Sequence, residues 1–126
     1  MIRRHGEAAQ RFAERRRRED EAPRLRSKVP ALAALELEYR ESRAGVVVAD
    51  VAHKRRVVVE RAPALFEVPC TDSACRDGGH DITLLVMRAL QSGEERFEGE
   101  DVCHGHVGTS ECRRVLSFHG TAKYQR

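Results

Sequence analysis

Four cysteines are the residues of this sequence whose type and spacing point most directly to chemistry. Cys70 and Cys75 are separated by four residues, Cys103 and Cys112 by eight, and 27 residues lie between the two pairs. A structural zinc ion is typically held by four ligands, which two local pairs can supply when the fold brings their turns together. The sequence therefore predicts one structural zinc ion bound by all four thiolates.

Other interpretations of the cysteines stay open at this point. His104 or His106 could replace one sulfur in a mixed site, and the four cysteines could also form two disulfides or bind no metal. Iron is disfavoured because rubredoxin-type sites use paired Cys-x-x-Cys turns, which this sequence lacks. Zinc bound by four cysteines is the favoured interpretation.

The residues around the cysteines favour turns. They are Thr71, Asp72 and Ser73 in the first pair, then Gly78 and Gly79, and later Gly105 and Gly108 in the second pair. Short polar side chains bond to nearby backbone groups, glycine permits sharp reversals, and amides in such turns can donate to thiolate sulfurs. The predicted site would thus be built from two loops.

A catalytic metal has less support in the sequence. It needs three protein ligands, an open position for water and a nearby general base, which Cys103, His104 and His106 with Glu100 could supply. However, the zinc deaminase combination of His-x-Glu with Pro-Cys-x-x-Cys is absent, and so is His-Glu-x-x-His. A small metalloenzyme or a zinc-thiol redox sensor is therefore the third hypothesis for function.

The segment before the first cysteine pair has the pattern of antiparallel strands. Apolar and charged residues alternate over residues 35–40, which is typical of a strand with one solvated face. Residues 46–48, 54–60 and 64–68 predict further strands, with turns near Asp50 and Pro63. We expect these strands to deliver the chain to Cys70.

A helix is predicted to begin at Asp81, which is the expected N-cap, and to end before Gly93. The apolar residues at helical spacing are Ile82, Leu85, Val86, Ala89 and Leu90. This stripe predicts a helix packed on the apolar face of a sheet. Residues 93–101 are interpreted as an acidic linker, and residues 115–124 as a final strand.

Residues 64–120 resemble zinc-ribbon and treble-clef domains in their order of strand, cysteine pair, insert and cysteine pair leading into a strand. The cysteine spacings differ from the Cys-x-x-Cys knuckles usual in that superfamily. Zinc-ribbon proteins most often bind nucleic acids or other proteins. The resemblance therefore implies a binding scaffold and leaves the partner open.

The predicted fold is α+β, with a small antiparallel sheet packed on one main helix and stabilised by zinc. Residues 1–28 are predicted to be a charged N-terminal arm, helical or disordered, and residues 29–126 the zinc-stabilised domain. At 126 residues, of which 40% are hydrophobic and 5% aromatic, the chain can form one small core. A metal would add to its limited stability.

Charge is unevenly distributed along the chain. Residues 1–28 hold ten Arg or Lys against five Asp or Glu, whereas residues 60–112 hold eleven acidic and four basic residues. Nucleic acid is therefore not expected at the cysteine-bearing segment. The basic residues that could contact it are Arg15, Arg16, Arg17 and Arg18 in the arm and Lys54, Arg55 and Arg56 in the body.

The favoured function is a non-enzymatic protein-binding or adaptor module in the cytoplasm. Residues 1–20 contain no run of seven apolar residues typical of a signal peptide, and no stretch approaches the roughly 18 apolar residues that span a bilayer. A protein partner would meet the acidic residues 94–101 or the edge of the sheet. The second hypothesis is a nucleic-acid-associated factor that uses the Arg-rich arm.

Overall fold

The computed structural model describes residues 2–43, 46–47, 53–72 and 74–125. In chain order its elements are α1 (Ile2–Glu21), α2 (Leu25–Lys28), β1 (Leu32–Arg43), β2 (Val46–Val47), β3 (His53–Val57), β4 (Glu67–Val68), β5 (His80–Asp81), α3 (Thr83–Gln91), β6 (Arg96–Val102), β7 (His106–Val107), β8 (Ser110–Glu111) and β9 (Val115–Tyr124). This order confirms the α+β class.

Five of the described strands form the main antiparallel sheet. β1 and β9 lie side by side at its centre, and β6 is the edge strand beyond β9. On the other side, β1 pairs with β3 and with the two residues of β2. The short strands β4 and β5 form one separate pair, and β7 and β8 form another.

β1 has the alternation that the sequence predicts. Leu35, Leu37 and Tyr39 are buried, while Glu36 is exposed and Glu38 half-buried on the opposite face. Successive side chains of a strand point to opposite faces, so one face of the sheet meets the core and the other meets water. The predicted final strand at residues 115–124 is also confirmed as β9.

α3 packs its buried face on the core, as predicted, although two details of the prediction were wrong. The helix begins at Thr83 with Ile82 at the N-cap, and Asp81 lies in β5, where its carboxylate accepts the Thr83 N–H at 3.0 Å. Leu85 is 42% exposed, whereas Met87 is buried. The Asp81 carboxylate thus still accepts a hydrogen bond from the first turn, although the helix begins one residue later than predicted.

The prediction of an acidic linker at residues 93–101 was wrong, because most of this segment forms the edge strand β6. Phe97 lies opposite Gly120 of β9, and Gly99 lies opposite Phe118. A Cβ on Gly99 would lie 2.8 Å from the Phe118 ring, and a Cβ on Gly120 would overlap the Phe97 ring. Each glycine therefore makes room for the aromatic ring across from it.

Two strands before the cysteines are shorter than predicted. The strand expected at residues 54–60 ends at Val57, and a turn follows in which the Val58 carbonyl accepts the N–H groups of Arg61 and Ala62. The strand expected at residues 64–68 is limited to Glu67–Val68, which pairs with β5. Val48 and the predicted turn at Asp50 lie outside the described residues.

The arm is helical over Ile2–Glu21, and Arg15 and Arg18 connect it to the body through polar contacts. Arg18 forms two hydrogen bonds with the Glu67 carboxylate, at 2.9 and 3.0 Å, and Arg15 donates to the Glu67 carbonyl. Leu25 in α2 is fully buried in the main core. The division of the chain at residue 28 stays a prediction.

Within the described residues, no helix has both the length and the apolar content to cross a bilayer.

Candidate metal centre

Each cysteine pair lies in a loop whose ends are held together by paired strands. Residues 70–79 connect β4 to β5, whose pairing places Val68 opposite His80. Residues 103–114 connect β6 to β9, with Val102 opposite Val115. We call these two loops together the cysteine end.

Backbone hydrogen bonds join the two loops directly. The Arg76 N–H donates to the His106 carbonyl and the His106 N–H donates to the Arg76 carbonyl, both at 2.8 Å. Within the second loop, the Cys112 N–H donates to the Gly105 carbonyl at 2.9 Å. These bonds hold residues that are distant in sequence next to the cysteines.

The four sulfur atoms form one compact cluster. Cys70 and Cys112 have their Sγ atoms 3.7 Å apart, as do Cys75 and Cys103, and all four Sγ atoms lie within 4.8 Å of one another. A tetrahedral zinc ion with Zn–S bonds of about 2.3 Å requires sulfur atoms about 3.8 Å apart. The cluster could therefore hold a metal ion with the geometry of a four-thiolate site.

The cluster is closed to solvent on most sides. Cys75, Cys103 and Cys112 are buried, and Cys70 is half-buried. All four cysteines are free, and a separation of 3.7 Å is well beyond the roughly 2.05 Å of a disulfide bond. This arrangement is typical of a structural metal site and differs from the two-disulfide alternative.

Two glycines allow the loops to close around the sulfurs. A Cβ on Gly78 would lie 2.5 Å from the Sγ atoms of both Cys75 and Cys103, and a Cβ on Gly105 would lie 2.5 Å from the Cys75 Sγ and 2.6 Å from the Gly78 Cα. Real Cβ atoms do not approach other atoms so closely. Glycine at both positions is therefore a condition of the cluster.

Backbone amides stabilise negative charge on the sulfurs. Burial raises the pKa of Cys103, but hydrogen bonds from the amides of Gly79 and Gly105 and with the thiols of Cys75 and Cys112 together leave the pKa below its ordinary value. At two other cysteines burial is the larger effect, and it raises the pKa of Cys75 to about 11 and that of Cys70 further. Metal binding at neutral pH would therefore release protons from the cluster.

The turn predicted between Cys70 and Cys75 is present. The Asp72 carboxylate accepts the Ala74 N–H at 2.9 Å, and the Asp72 carbonyl accepts the Cys75 N–H at 3.0 Å. The Asp72 amide also lowers the pKa of Cys70 against the larger effect of burial. Ser73, which the sequence also assigns to this turn, lies outside the described residues.

A buried ion pair connects the first loop to the sheet. Glu41 of β1 accepts the Thr71 N–H at 3.3 Å, and its other oxygen lies 3.7 Å from the Cys70 Sγ. Arg114 donates to the Thr71 hydroxyl at 2.8 Å, and its guanidinium nitrogens lie 3.6 Å from Glu41 and 3.7 Å from Asp72. Because Arg114 offsets the two carboxylates, it balances negative charge next to the sulfurs.

The sequence prediction missed Glu41 and Arg114. A signal for Glu41 exists, because it continues the buried alternation of Leu35, Leu37 and Tyr39, where a carboxylate is out of place. The sequence offers no comparable signal for Arg114, because it does not distinguish Arg114 from its neighbour Arg113, whose side chain is exposed and pairs with Glu111.

The histidines near the cysteines do not join the sulfur cluster. Among the described residues, the compact group of metal-ligand atoms consists of the four cysteines, and His104 and His106 are exposed. His80 is buried, and its Nδ1 lies 3.0 Å from the Asp101 carboxylate while its Nε2 has no hydrogen-bond partner. His80 therefore links β5 to β6 beside the first loop.

The basic residues proposed for nucleic-acid contact lie on different elements and are partly engaged within the chain. Arg15 and Arg18 bind Glu67, whereas Arg16 and Arg17 are exposed. On the outward face of the sheet, Lys54 lies opposite Glu38 and Arg56 opposite Glu36. Arg55 is half-buried on the other face. Acidic neighbours thus offset much of this positive charge.

Comparison of the chain with protein-family models, with curated proteins and with solved structures finds no match. The interpretation of the site therefore rests on its own geometry.

Proposed function

We propose that this chain is a non-enzymatic protein-binding module of the adaptor type, stabilised by one structural zinc ion bound to Cys70, Cys75, Cys103 and Cys112. The observation that carries the proposal is the cluster of four sulfur atoms within 4.8 Å of one another. Four thiolates complete a tetrahedral zinc site and leave no open position for water or substrate. The metal would support the fold, and no catalytic step is assigned to it.

Protein is favoured over nucleic acid as the partner because of the charges around the sheet. Lys54 and Arg56 lie opposite Glu38 and Glu36 in the register of β3 and β1, and Arg18 is bound to Glu67. Nucleic-acid affinity depends on basic groups that are free to neutralise phosphates. The arm still offers Arg16 and Arg17, so nucleic acid is the alternative that the experiment must test.

The surface proposed for the protein partner is β6. The sequence suggested two candidate surfaces, the acidic residues 94–101 and the sheet edge, and most of the first lies in the strand that forms the second. We expect the module to act in the cytoplasm, because reducing compartments keep cysteines free for metal binding.

Affinity capture of the full chain before and after nuclease treatment tests this function. We expect one protein partner to be recovered equally in both conditions. Binding to a labelled random DNA duplex should be absent. Recovery that depends on nucleic acid, or duplex affinity that falls about 1,000-fold between 50 and 200 mM salt, would support the alternative.

A further inference from the structure

The outer side of β6 is an open edge of the main sheet. β6 pairs with β9 from Arg96, opposite Thr121, to Val102, opposite Val115, without a shift in register. No strand among the described residues pairs with its other side. Alternate residues of an edge strand direct their backbone N–H and C=O groups outward, so β6 presents a row of unpaired groups.

β6 lacks several features that commonly prevent an edge strand from pairing. It is seven residues long and contains no proline, no lysine and no bulge, although four of the seven residues are charged and Asp101 lies at an inward position. The opposite side of the sheet is different, because β2 has only two residues and β3 has Lys54, Arg55 and Arg56 among its five. β6 is therefore the edge better suited to accept another strand.

The charge of this edge favours a partner strand with basic residues. The exposed outward face of β6 consists of Arg96, Glu98, Glu100 and Val102. Glu94 and Glu95 are exposed just before the strand, so acidic residues predominate along this edge. In an added strand, the residues on this face would lie directly beside Glu98 and Glu100. Opposite charges in such cross-strand positions stabilise a sheet, so lysine or arginine is favoured there.

The inward face of the same edge favours apolar residues. Leu85 of α3 is 42% exposed, and its Cδ1 lies 3.6 Å from the position that a Cβ on Gly99 would occupy. An inward-facing residue of an added strand next to Gly99 could cover Leu85. Because successive strand residues alternate between the two faces, the fitting segment alternates basic and apolar residues.

A second copy of the chain fits the full length of this edge poorly. In the antiparallel register that pairs all seven residues of two β6 strands, Glu98 lies opposite Glu100 twice, and like charges in these positions are destabilising. A register centred on Phe97 would pair Arg96 with Glu98, but only over three residues of each strand. The basic strand β3 of another copy already pairs with β1 over its five residues, with Lys54 opposite Glu38 and Arg56 opposite Glu36.

We infer that the open edge of β6 binds an extended segment of a protein partner in which basic and apolar residues alternate, and that this segment joins the sheet as an additional strand. The inference rests on the proposed protein-binding function and specifies its surface and the chemistry of its partner.

Fluorescence anisotropy with a labelled seven-residue peptide of alternating Lys and Val tests the inference on the zinc-loaded full chain. We expect saturable binding. A peptide of the same charge with proline in place of each valine should bind at least about tenfold more weakly, because proline removes backbone donors. Equal binding of the two peptides would show that charge alone acts and would overturn the inference.

Paired variants locate the binding surface. The double variant Glu98→Gln with Glu100→Gln should weaken the Lys-Val peptide about fivefold, as expected for the loss of two cross-strand charge pairs. The matched control, Glu36→Gln with Glu60→Gln, removes the same charge elsewhere and should change affinity less than about twofold.

A second pair of variants tests the inward face of the edge. Leu85→Ser should weaken binding of the Lys-Val peptide, whereas Leu84→Ser, also on α3 and 63% exposed, should not. Equal effects of the paired variants would contradict the assignment to β6.

Two further outcomes separate this inference from the proposed function. If the full chain captures a protein independently of nuclease but shows no saturable peptide binding up to roughly 1 mM, the function stands and the inference fails. If light scattering shows a dimer that Glu98→Lys alters, a second copy occupies the edge and the inference fails as well.

Discussion

The sheet half, which consists of the main sheet and α3, differs from the cysteine end in the residue types that it buries. In the sheet half, Leu37, Phe66 and Leu116 are examples of a core made of buried hydrocarbon. In the cysteine end, the buried cluster consists of Cys75, Cys103 and Cys112, and its paired strands β7 and β8 have two residues each. Apolar burial can stabilise the first region, whereas the second requires another source of stability.

The comparison explains why a metal is proposed at one end only. Three buried cysteines contain far less hydrocarbon than the main core, and Gly78 and Gly105 contribute no side chain to a core. A bound zinc ion would convert the same arrangement into four metal–ligand bonds. Variants that affect one region and spare the other therefore test the difference.

Cys103→Ser should have the largest effect. Structural zinc contributes about 10 kcal/mol or more to the folding of small zinc domains, so loss of a buried ligand should release the metal and unfold the cysteine end. Hydrogen exchange measured by mass spectrometry should show lost protection in residues 70–79 and 103–114, while β1 and β9 stay protected. His106→Ala in the same loop is the matched control and should keep the zinc. Unchanged protection of residues 70–79 and 103–114 in Cys103→Ser would contradict the proposal that the cysteine end depends on zinc.

Phe66→Ala should act on the sheet half. Phe66 is 1% exposed within the main core, and its removal should lower the free energy of unfolding by about 3–5 kcal/mol. Chemical denaturation should detect this loss, and metal analysis of the folded protein should show unchanged zinc. Leu84→Ala, at a position 63% exposed, should change stability by less than about 0.5 kcal/mol. Similar losses in both variants would show that the assumed core is wrong.

Gly78→Ala should weaken the metal site without removing a ligand. Its Cβ would lie 2.5 Å from two sulfurs, and overpacking of this kind costs about 1–3 kcal/mol. We expect zinc affinity, measured by competition with a chromophoric chelator, to fall by about fivefold or more. Gly108→Ala is the control, because no atom lies within 4 Å of its Cβ position. It should strain the backbone at φ +62° and leave zinc affinity unchanged.

Glu67→Gln should have the smallest effect, on the attachment of α1. The Glu67–Arg18 ion pair is partly exposed, with side chains 22% and 47% accessible, and such pairs contribute up to about 1 kcal/mol. Limited proteolysis should cut α1 faster in this variant, while zinc content and the stability of the sheet stay the same. Glu60→Gln, which removes the exposed pair with Arg26, should leave the cleavage rate of α1 unchanged.

The sheet half was more predictable from the sequence than the cysteine end, for a physical reason. Every second residue of β1 from Leu35 to Tyr39 is apolar and buried, so the alternation of Leu35 and Leu37 with charged residues can be recognised in the sequence. β6 was missed because Gly99 and Asp101 occupy two of its three inward positions, and Phe97 alone gives no period. Alternation reveals a strand only when its inward residues are apolar.

The cysteines themselves were visible as a candidate site, but the groups that support them were not. Spacing predicted two loops, and the structure brings their sulfurs together. The packing of Gly78 against Gly105 and the contact of Arg114 with Glu41 depend on which strands pair, so no local pattern contains them. Tertiary contacts of this kind follow from the fold and cannot be found before it.

Metal analysis combined with X-ray absorption on the purified full chain tests the central claim most directly. We predict one zinc ion per chain, with four sulfur ligands at about 2.3 Å and no nitrogen or oxygen in its coordination shell. A folded chain without metal, or a shell that contains a ligand at about 2.0–2.1 Å, would contradict the four-cysteine zinc site.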